Sequence, residues 1–196
     1  MVDLISIDVD KEPYIKKLTE DRVINLTGQS GSGKSTYARK TFYDEKYVII
    51  DTDVLLKKHN FESGYYEELK QYLKEKYHDK EWDLGKDFDL IYKEILNFFK
   101  GCEKILVIDC AQFHCISDIR ILKGTVIVLR TSIDTCYKRC VERYKENHPS
   151  CSDEELEQYK NRKKKIYDWY HGTNEFLKKI DAYKVEDLDE KDVFNK

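Results

Sequence analysis

The chain has only 2 Pro and 8 Gly in 196 residues, which excludes collagen-like repeats and Pro/Gly-rich linkers. It has no apolar run near the roughly 18 residues that a membrane span requires. Met1-Val2-Asp3 lacks the basic-then-apolar layout of a secretory leader, so a cytoplasmic protein is expected. A basic surplus is missing too. The formal net charge is −3, and no global field draws the chain to nucleic acid or to a membrane. There is no internal repeat and no low-complexity segment. Six Cys (102, 110, 115, 136, 140 and 151) with no leader are expected as reduced thiols rather than a disulfide frame. What is abundant is aromatic area. The 15 Tyr, 8 Phe and 2 Trp offset a charged fraction of 37% and argue for a folded core rather than disorder. The length suits one domain.

Four short β-branched runs stand out: Val23–Thr27, Tyr47–Ile50, Ile105–Ile108 and Thr125–Leu129. A weaker fifth is Ala182–Val185. Near-continuous apolar runs of this length suit strands buried on both faces of a parallel sheet. Helical patterns lie between them, so an α/β fold is expected. About 50 residues separate the second and third runs, too many for one crossover. Residues 54–103 are therefore expected to form a helical insert, with helices over Tyr65–Lys76 and Phe88–Phe99. In the gap 131–181, the polar segment Glu146–Asp153 contains Pro149 and reads as a loop between two helices. Ser152 with Glu155 is a capping-box start for the second helix. Ahead of the first core strand, Leu4–Val9 suggests an edge strand and Pro13–Leu18 a short helix.

Directly after the first strand comes Gly28-Gln29-Ser30-Gly31-Ser32-Gly33-Lys34-Ser35-Thr36, a G-x-x-x-x-G-K-[ST] pattern. Its glycines open backbone angles closed to other residues, so that amide N–H groups can ring phosphates. The loop runs into a helix N-terminus, which favours anions. Lys34 adds a charge for the β- and γ-phosphates, and the Ser35 hydroxyl can ligate Mg²⁺. Gly28–Thr36 resembles the Walker A loop of the small P-loop kinases. That group includes adenylate, shikimate and gluconate kinases, chloramphenicol phosphotransferase and the polynucleotide 5′-hydroxyl kinases. The resemblance implies a three-layer αβα P-loop fold. Its five-stranded, mainly parallel sheet would take the order 2-3-1-4-5, with the runs numbered along the chain. It also implies ATP and Mg²⁺ as cofactors.

Asp51-Thr52-Asp53 closes the second strand, where open α/β sheets bind ligands. Read as extended chain, carboxylates at i and i+2 point the same way. The pair resembles the Asp-x-Asp of shikimate kinases, which implies Asp51 toward the metal and Asp53 toward the substrate hydroxyl. Alternatively Asp53 caps a helix Val54–His59. Asp109 ends the third strand as a Walker B acid does; the plainer alternative is an exposed strand-end Asp. Where shikimate kinases have a Gly-rich segment, this chain has Cys110-Ala111-Gln112-Phe113-His114, which argues against shikimate.

Four of the seven Arg fall in or beside one region: Arg130, Arg139, Arg143 and Arg162. Arg139 and Arg143 share a helix face, and their planar forks suit phosphate oxygens. The arrangement resembles the lid of small kinases and sets the lid at 139–165. The alternative is a solvated face paired with Glu142 and Glu146. Arg162 is a candidate to join the clamp, while Lys163–Lys165 read as a solvated run.

Residues 51–103 hold 13 Asp/Glu, 9 Lys and no Arg, a formal charge of −4. Sites for monophosphates or carboxylates use Arg forks, so a neutral or cationic small-molecule acceptor is expected, not nucleic acid. Lys57, Lys58 or Arg120 remain possible anion holders. The aromatics there (Phe61, Tyr65, Tyr66, Tyr72, Tyr77, Trp82) are either core or a stacking surface. Cys136-x₃-Cys140 with His148-x₂-Cys151 is a weak zinc alternative. Cys110 with His114 and Cys115 is a weak nucleophile alternative.

The expectation is thus one domain over 1–196, an ATP-dependent kinase of a small hydroxyl compound. Lys34, Asp53, Arg139 and Arg143 are the catalytic candidates, and Gly28–Thr36 holds the nucleotide. Ser35, Asp51 and Asp109 face the metal. A polynucleotide 5′-hydroxyl kinase and a nucleotide-binding switch are the alternatives; the absence of an N-K-x-D motif counts against a GTPase switch. The acceptor and the oligomeric state stay open.

Overall fold

The computed structural model describes residues 3–8, 22–56, 64–78, 80–167 and 176. Its strands are β1 (Asp3–Asp8), β2 (Val23–Gly28), β3 (Tyr47–Asp51), β4 (Ile105–Asp109) and β5 (Thr125–Arg130). The helices are α1 (Lys34–Thr41), α2 (Thr52–Leu55), α3 (Gly64–Tyr77), α4 (Phe88–Phe98), α5 (Ile133–Asn147) and α6 (Asp153–Ile166). The strands form one sheet in the order β1-β5-β2-β4-β3, and every pairing is parallel.

The four strong apolar runs take their expected relative places. The fifth place, beside β5, belongs to Asp3–Asp8, close to the edge strand expected over Leu4–Val9. The run Ala182–Val185 lies outside the described residues, as do Pro13–Leu18, Lys57, Lys58 and Phe61.

Strand alternation sends side chains to two cores. Val48, Ile50, Leu106, Ile108, Val126 and Val128 pack on one face against Leu69 and Leu73 of α3 and Ile91, Tyr92 and Ile95 of α4. Ile24, Leu26, Val107, Ile127 and Leu129 pack on the other against Tyr37 and Ala38 of α1 and the adjacent Phe42. Full burial of each such aliphatic side chain is worth about 1.5–3 kcal/mol. The helices expected over Tyr65–Lys76 and Phe88–Phe99 are α3 and α4, and both cover the sheet. Their described aromatics pack against the core or one another, Tyr65 remaining exposed, and none lines the cleft described below. Tyr66, Tyr72, Tyr77 and Trp82 pack against the first core, and Tyr65 rests against Phe99 with ring centroids 5.9 Å apart.

One acid is built into the α3–α4 contact. Glu94 is 4% exposed and accepts hydrogen bonds from Lys76 Nζ at 2.7 Å, Tyr77 OH at 2.7 Å and Tyr72 OH. Burial alone would push its carboxyl up, but the three donors outweigh it and hold the carboxyl below its ordinary value. Such a group stabilises the fold above the unfolded carboxyl range and loses that effect as pH falls through its own value. Glu94→Gln is expected to cost about 1–3 kcal/mol at pH 7. The gap from wild type should close at acid pH, below the ordinary carboxyl range. Urea titrations at both pH values check this, and a gap independent of pH would overturn it.

Candidate active site

The carboxyl ends of the strands surround a cleft of about 710 Å³, within the size range of small-molecule sites. The loop after β2 forms its floor. Gly31 has φ +84°, and a Cβ there would sit 2.5 Å from the Cys136 carbonyl oxygen of α5. Only glycine permits that approach. Gly33, at φ +94°, is the N-cap of α1 and has no side chain to satisfy the first helical amides. The helix therefore opens into the cleft with unpaired N–H groups, and no acid sits in its first turn.

The loop and α5 are fastened together. Thr131 Oγ1 donates to Ser32 O at 2.9 Å, and Arg139 Nη1 donates to Gly31 O at 3.3 Å. Cys140 Sγ lies 3.6 Å from Ser30 Oγ, and Arg143 Nη2 donates to the same sulfur at 3.5 Å. Cys136 and Cys140 are thus the buried face of α5 against the loop. Among the described residues, no group of three His, Cys, Asp or Glu converges on a metal position, so the zinc alternative gains nothing. A Mg²⁺ site does not need such a group, because this ion takes one or two protein ligands and completes its shell with water and phosphate.

Asp109 is buried at the end of β4, 3% exposed, which sets aside the exposed strand-end alternative. Ser35 Oγ donates to its Oδ2 at 2.9 Å. Burial pushes the Asp109 carboxyl up to about 6; Lys34 pulls it down, Asp51 pushes it up and the Ser35 hydrogen bond lowers it. A buried carboxylate with one hydroxyl partner and a neighbouring ammonium fits a hard cation.

The acid pair after β3 is arranged differently from the expectation. Asp51 is the helix cap, accepting from Asp53 N–H at 2.9 Å and Val54 N–H at 3.2 Å. The helix it starts is Thr52–Leu55, beginning before the expected Val54; the expected end at His59 lies outside the described residues. Asp53 sits in its first turn, so the two carboxylates do not share an extended segment, though both line the cleft. Burial raises the Asp51 carboxyl, its two amide donors lower it, and the Asp53 charge adds to the rise. Asp51 N–H donates to Tyr66 OH at 2.6 Å, tying α3 to this wall.

The cleft gathers Gln29, Ser30, Gly31, Gly33, Lys34, Ser35 and Thr36 with Asp51, Asp53, Asp109, Arg139 and Arg143. Gly28 and Ser32 support the loop from beneath and do not line it. Gln29 is 6% exposed, and its Nε2 has no hydrogen-bond partner among the described residues. Of the described residues in 54–103, only Val54 lines the cleft.

Four polar lining residues were given no site role from sequence: Arg39, Gln112, Asn147 and Lys163; His114 entered only through the Cys/His alternative. Asn147 carries the i+4 spacing of Arg139 and Arg143 one step further, a signal the sequence contained. Lys163 and Arg162 exchange their expected places. Both lie over the Tyr159 ring, Arg162 at 5.6 Å and Lys163 at 5.7 Å, but only Lys163 lines the cleft. Arg120 is likewise elsewhere, paired with Asp118 at 2.7 Å. The structure weighs against the Cys/His alternative: Cys110 is 2% exposed, its Sγ is engaged by Gln112, and burial pushes the thiol up to about 12.

No family model matches the chain, and no curated protein matches it. Among solved structures, a chain in the "Structure of the Pnkp1/Rnl/Hen1 RNA repair complex" is similar, with a TM-score of 0.42 and 16% identity. The match covers 83% of this chain and 46% of that one, so the chain spans a little under half of its neighbour's length. A likeness of that size says nothing of activity. Among the described residues, no helix is long and apolar enough to cross a membrane.

The raised Asp109 carboxyl makes a stability prediction. The folded chain holds the extra proton between about pH 4 and about 6. Stability contributed by this group therefore falls as pH rises through that window. Asp109→Asn should match or exceed wild type at pH 7, by on the order of 1–3 kcal/mol, with the difference growing from pH 4 to 6. Thermal denaturation across that range measures it. A variant less stable than wild type at pH 7 would refute the assigned cost.

Proposed function

We propose that the protein is an ATP-dependent phosphotransferase acting on a small hydroxyl compound, with the three-layer fold of the P-loop kinases and a cytoplasmic site of action. The observation that carries this is the Ser35 hydroxyl on the buried Asp109 carboxylate at 2.9 Å, next to Lys34 and in one cleft with Asp53 and Arg139. Such a pairing of hydroxyl, acid and ammonium at an open helix N-terminus serves phosphoryl transfer.

In this reading the amides of Gly28–Thr36 and the Lys34 ammonium hold the β- and γ-phosphates of ATP. Ser35 and Asp109 hold Mg²⁺, with Asp51 reaching it through water. Bound there, Mg²⁺ supplies positive charge for the phosphate oxygens. Asp53 orients the acceptor hydroxyl and takes its proton as the new O–P bond forms. The bond to the leaving ADP breaks with its electron pair on the ADP oxygen. Lys34, Arg139 and Arg143 neutralise that charge, and residues 139–165 shield it from water as a lid.

Lys34→Ala should fold and lose detectable transfer, since no other ammonium stands at that point of the loop. Labelled-ATP transfer with a parallel melt checks both halves, and unchanged turnover in the folded variant sinks the phosphate-loop reading. Arg139→Ala and Arg143→Ala should each lower kcat more than they raise the ATP KM, by on the order of 10²-fold.

Asp53 separates a kinase from a nucleotide switch. Asp53→Asn should leave ATP binding near wild type and lower transfer by roughly 10²–10⁴-fold. Asp51→Asn keeps the helix cap, because Asn caps as well as Asp, so its effect should appear in the Mg²⁺ dependence of the rate. Full transfer by Asp53→Asn, read in single turnovers, would move the acceptor elsewhere.

A further inference from the structure

The two walls of the cleft come from different strands. The phosphate loop follows β2, and the Arg-bearing helix α5 follows β5. Asp109 and Gln112 follow β4, and Asp51 and Asp53 follow β3. Neighbouring strands lie about 4.8 Å apart. The β3 end is therefore about 10 Å from the β2 end, about two strand spacings. The basic wall and the acidic wall face each other across the loop.

Among the described residues, five cations line the cleft: Lys34, Arg39, Arg139, Arg143 and Lys163. Against them stand Asp51, Asp53 and Asp109, leaving these described groups a formal +2 with His114 neutral. A nucleoside triphosphate with Mg²⁺ brings a net charge of about −2. The two cancel, so the described lining favours an uncharged acceptor over a second anion or cation.

The acidic wall also carries a hydrogen-bond pattern. Gln112 is fixed at one end: its backbone N–H donates to Cys110 Sγ at 3.2 Å, and Cys110 Sγ donates to its Oε1 at 3.3 Å. Cys110 is 2% exposed, and the carbonyl end of the Gln112 amide faces its thiol. The NH₂ end has no hydrogen-bond partner among the described residues, and Gln112 lines the cleft. The exposed Asp53 carboxylate lines it too, from the adjacent strand. Val54 and Ala111 add apolar surface on the same wall. One acceptor group and one donor group lining the same cleft from adjacent strands, with an apolar patch, match a compound bearing two hydroxyls on a ring.

We infer that the acceptor is an uncharged polyhydroxy compound, a sugar, cyclitol or nucleoside, held between Asp53 and Gln112, with Gln112 as the specificity-determining residue. The inference rests on the phosphotransferase reading above. The hydroxyl at Asp53 gives its proton to that carboxylate and forms the bond to phosphorus, and ADP leaves with the electron pair. A second hydroxyl accepts from the Gln112 amide. Cys110 is a positioning residue that acts through Gln112.

The test uses the full chain with γ-labelled ATP and Mg²⁺. Its acceptors are matched pairs: adenosine against AMP, and ribose against ribose 5-phosphate. Inositol, glucose, choline and a 5′-hydroxyl oligonucleotide complete the set. ATP binding is titrated separately. The expected result is label on a neutral polyol or nucleoside, at least 10-fold above its phosphorylated partner in kcat/KM. Gln112→Ala should raise the KM of that acceptor about 10-fold or more and leave the ATP Kd within about twofold. Gln112→Glu, similar in size but with the donor replaced by a charge, should do the same. Cys110→Ala should shift the acceptor KM in the same direction by less. Preferred labelling of AMP, the oligonucleotide or choline overturns the inference and leaves the kinase reading standing. So does an unchanged acceptor KM in Gln112→Ala. Wild type that binds ATP and labels none of these compounds also overturns it. Wild type that does not bind ATP overturns the phosphotransferase reading instead.

Discussion

A carboxylate buried at the end of an inner strand is the constraint around which this molecule is arranged. Asp109 is 3% exposed and accepts a single hydroxyl, from Ser35. Burying a charge is costly unless positive charge meets it. The chain supplies that charge from the loop after β2, which must turn sharply enough to bring Lys34 and Ser35 over the β4 end. The turn is possible because Gly31 lets the loop touch the backbone of α5, and because Gly33 starts α1 without a side chain in the way. The raised carboxyl of Asp109 measures what remains uncompensated.

The rest of the fold keeps this arrangement rigid. Two separate cores, one under α3 and α4 and one under α1, hold the sheet from both faces. The sheet ends then stay at fixed spacing, and the acids of β3 and β4 face the cations of α5 across the loop. The α5–α6 pair has its own fastenings. Tyr144 stacks on Tyr159 with ring centroids 3.9 Å apart, and Tyr159 OH donates to Cys140 O at 3.2 Å. The Ser152–Glu155 capping box starts α6 where the sequence placed it.

Much of this was legible because it is local. Four strands announce themselves as short β-branched runs, and G-x-x-x-x-G-K-[ST] marks the loop. Helix-period spacing marks α3 and α4. What failed depended on tertiary placement. Asp51 rather than Asp53 caps α2, since capping turns on where the strand ends, not on which acid comes second. The aromatics of 54–103 read equally as core or as ligand surface, and only the sheet shows that Tyr66, Tyr72, Tyr77 and Trp82 pack against the core. Lys163 and Arg162 are neighbours in a basic run, so nothing in composition says which one the helix turns inward. Gln112 carries no motif at all; its significance comes from the Cys110 thiol two residues before it.

The pairing pattern of the sheet sets the order in which this molecule can come together. Every strand contact joins distant parts of the chain, and β1 finds its partner β5 about 120 residues away. There is no hairpin among the described strands to nucleate the sheet. Closing loops of that size precedes any return from the contacts they create, so assembly is governed by chain entropy and is slow for its length. The edge position of β1 has a further effect. It can dock only after β5 is in place, and until then β5 presents an unpaired, apolar flank to other chains. The half-formed state, rather than the finished one, is where this protein is most exposed to aggregation.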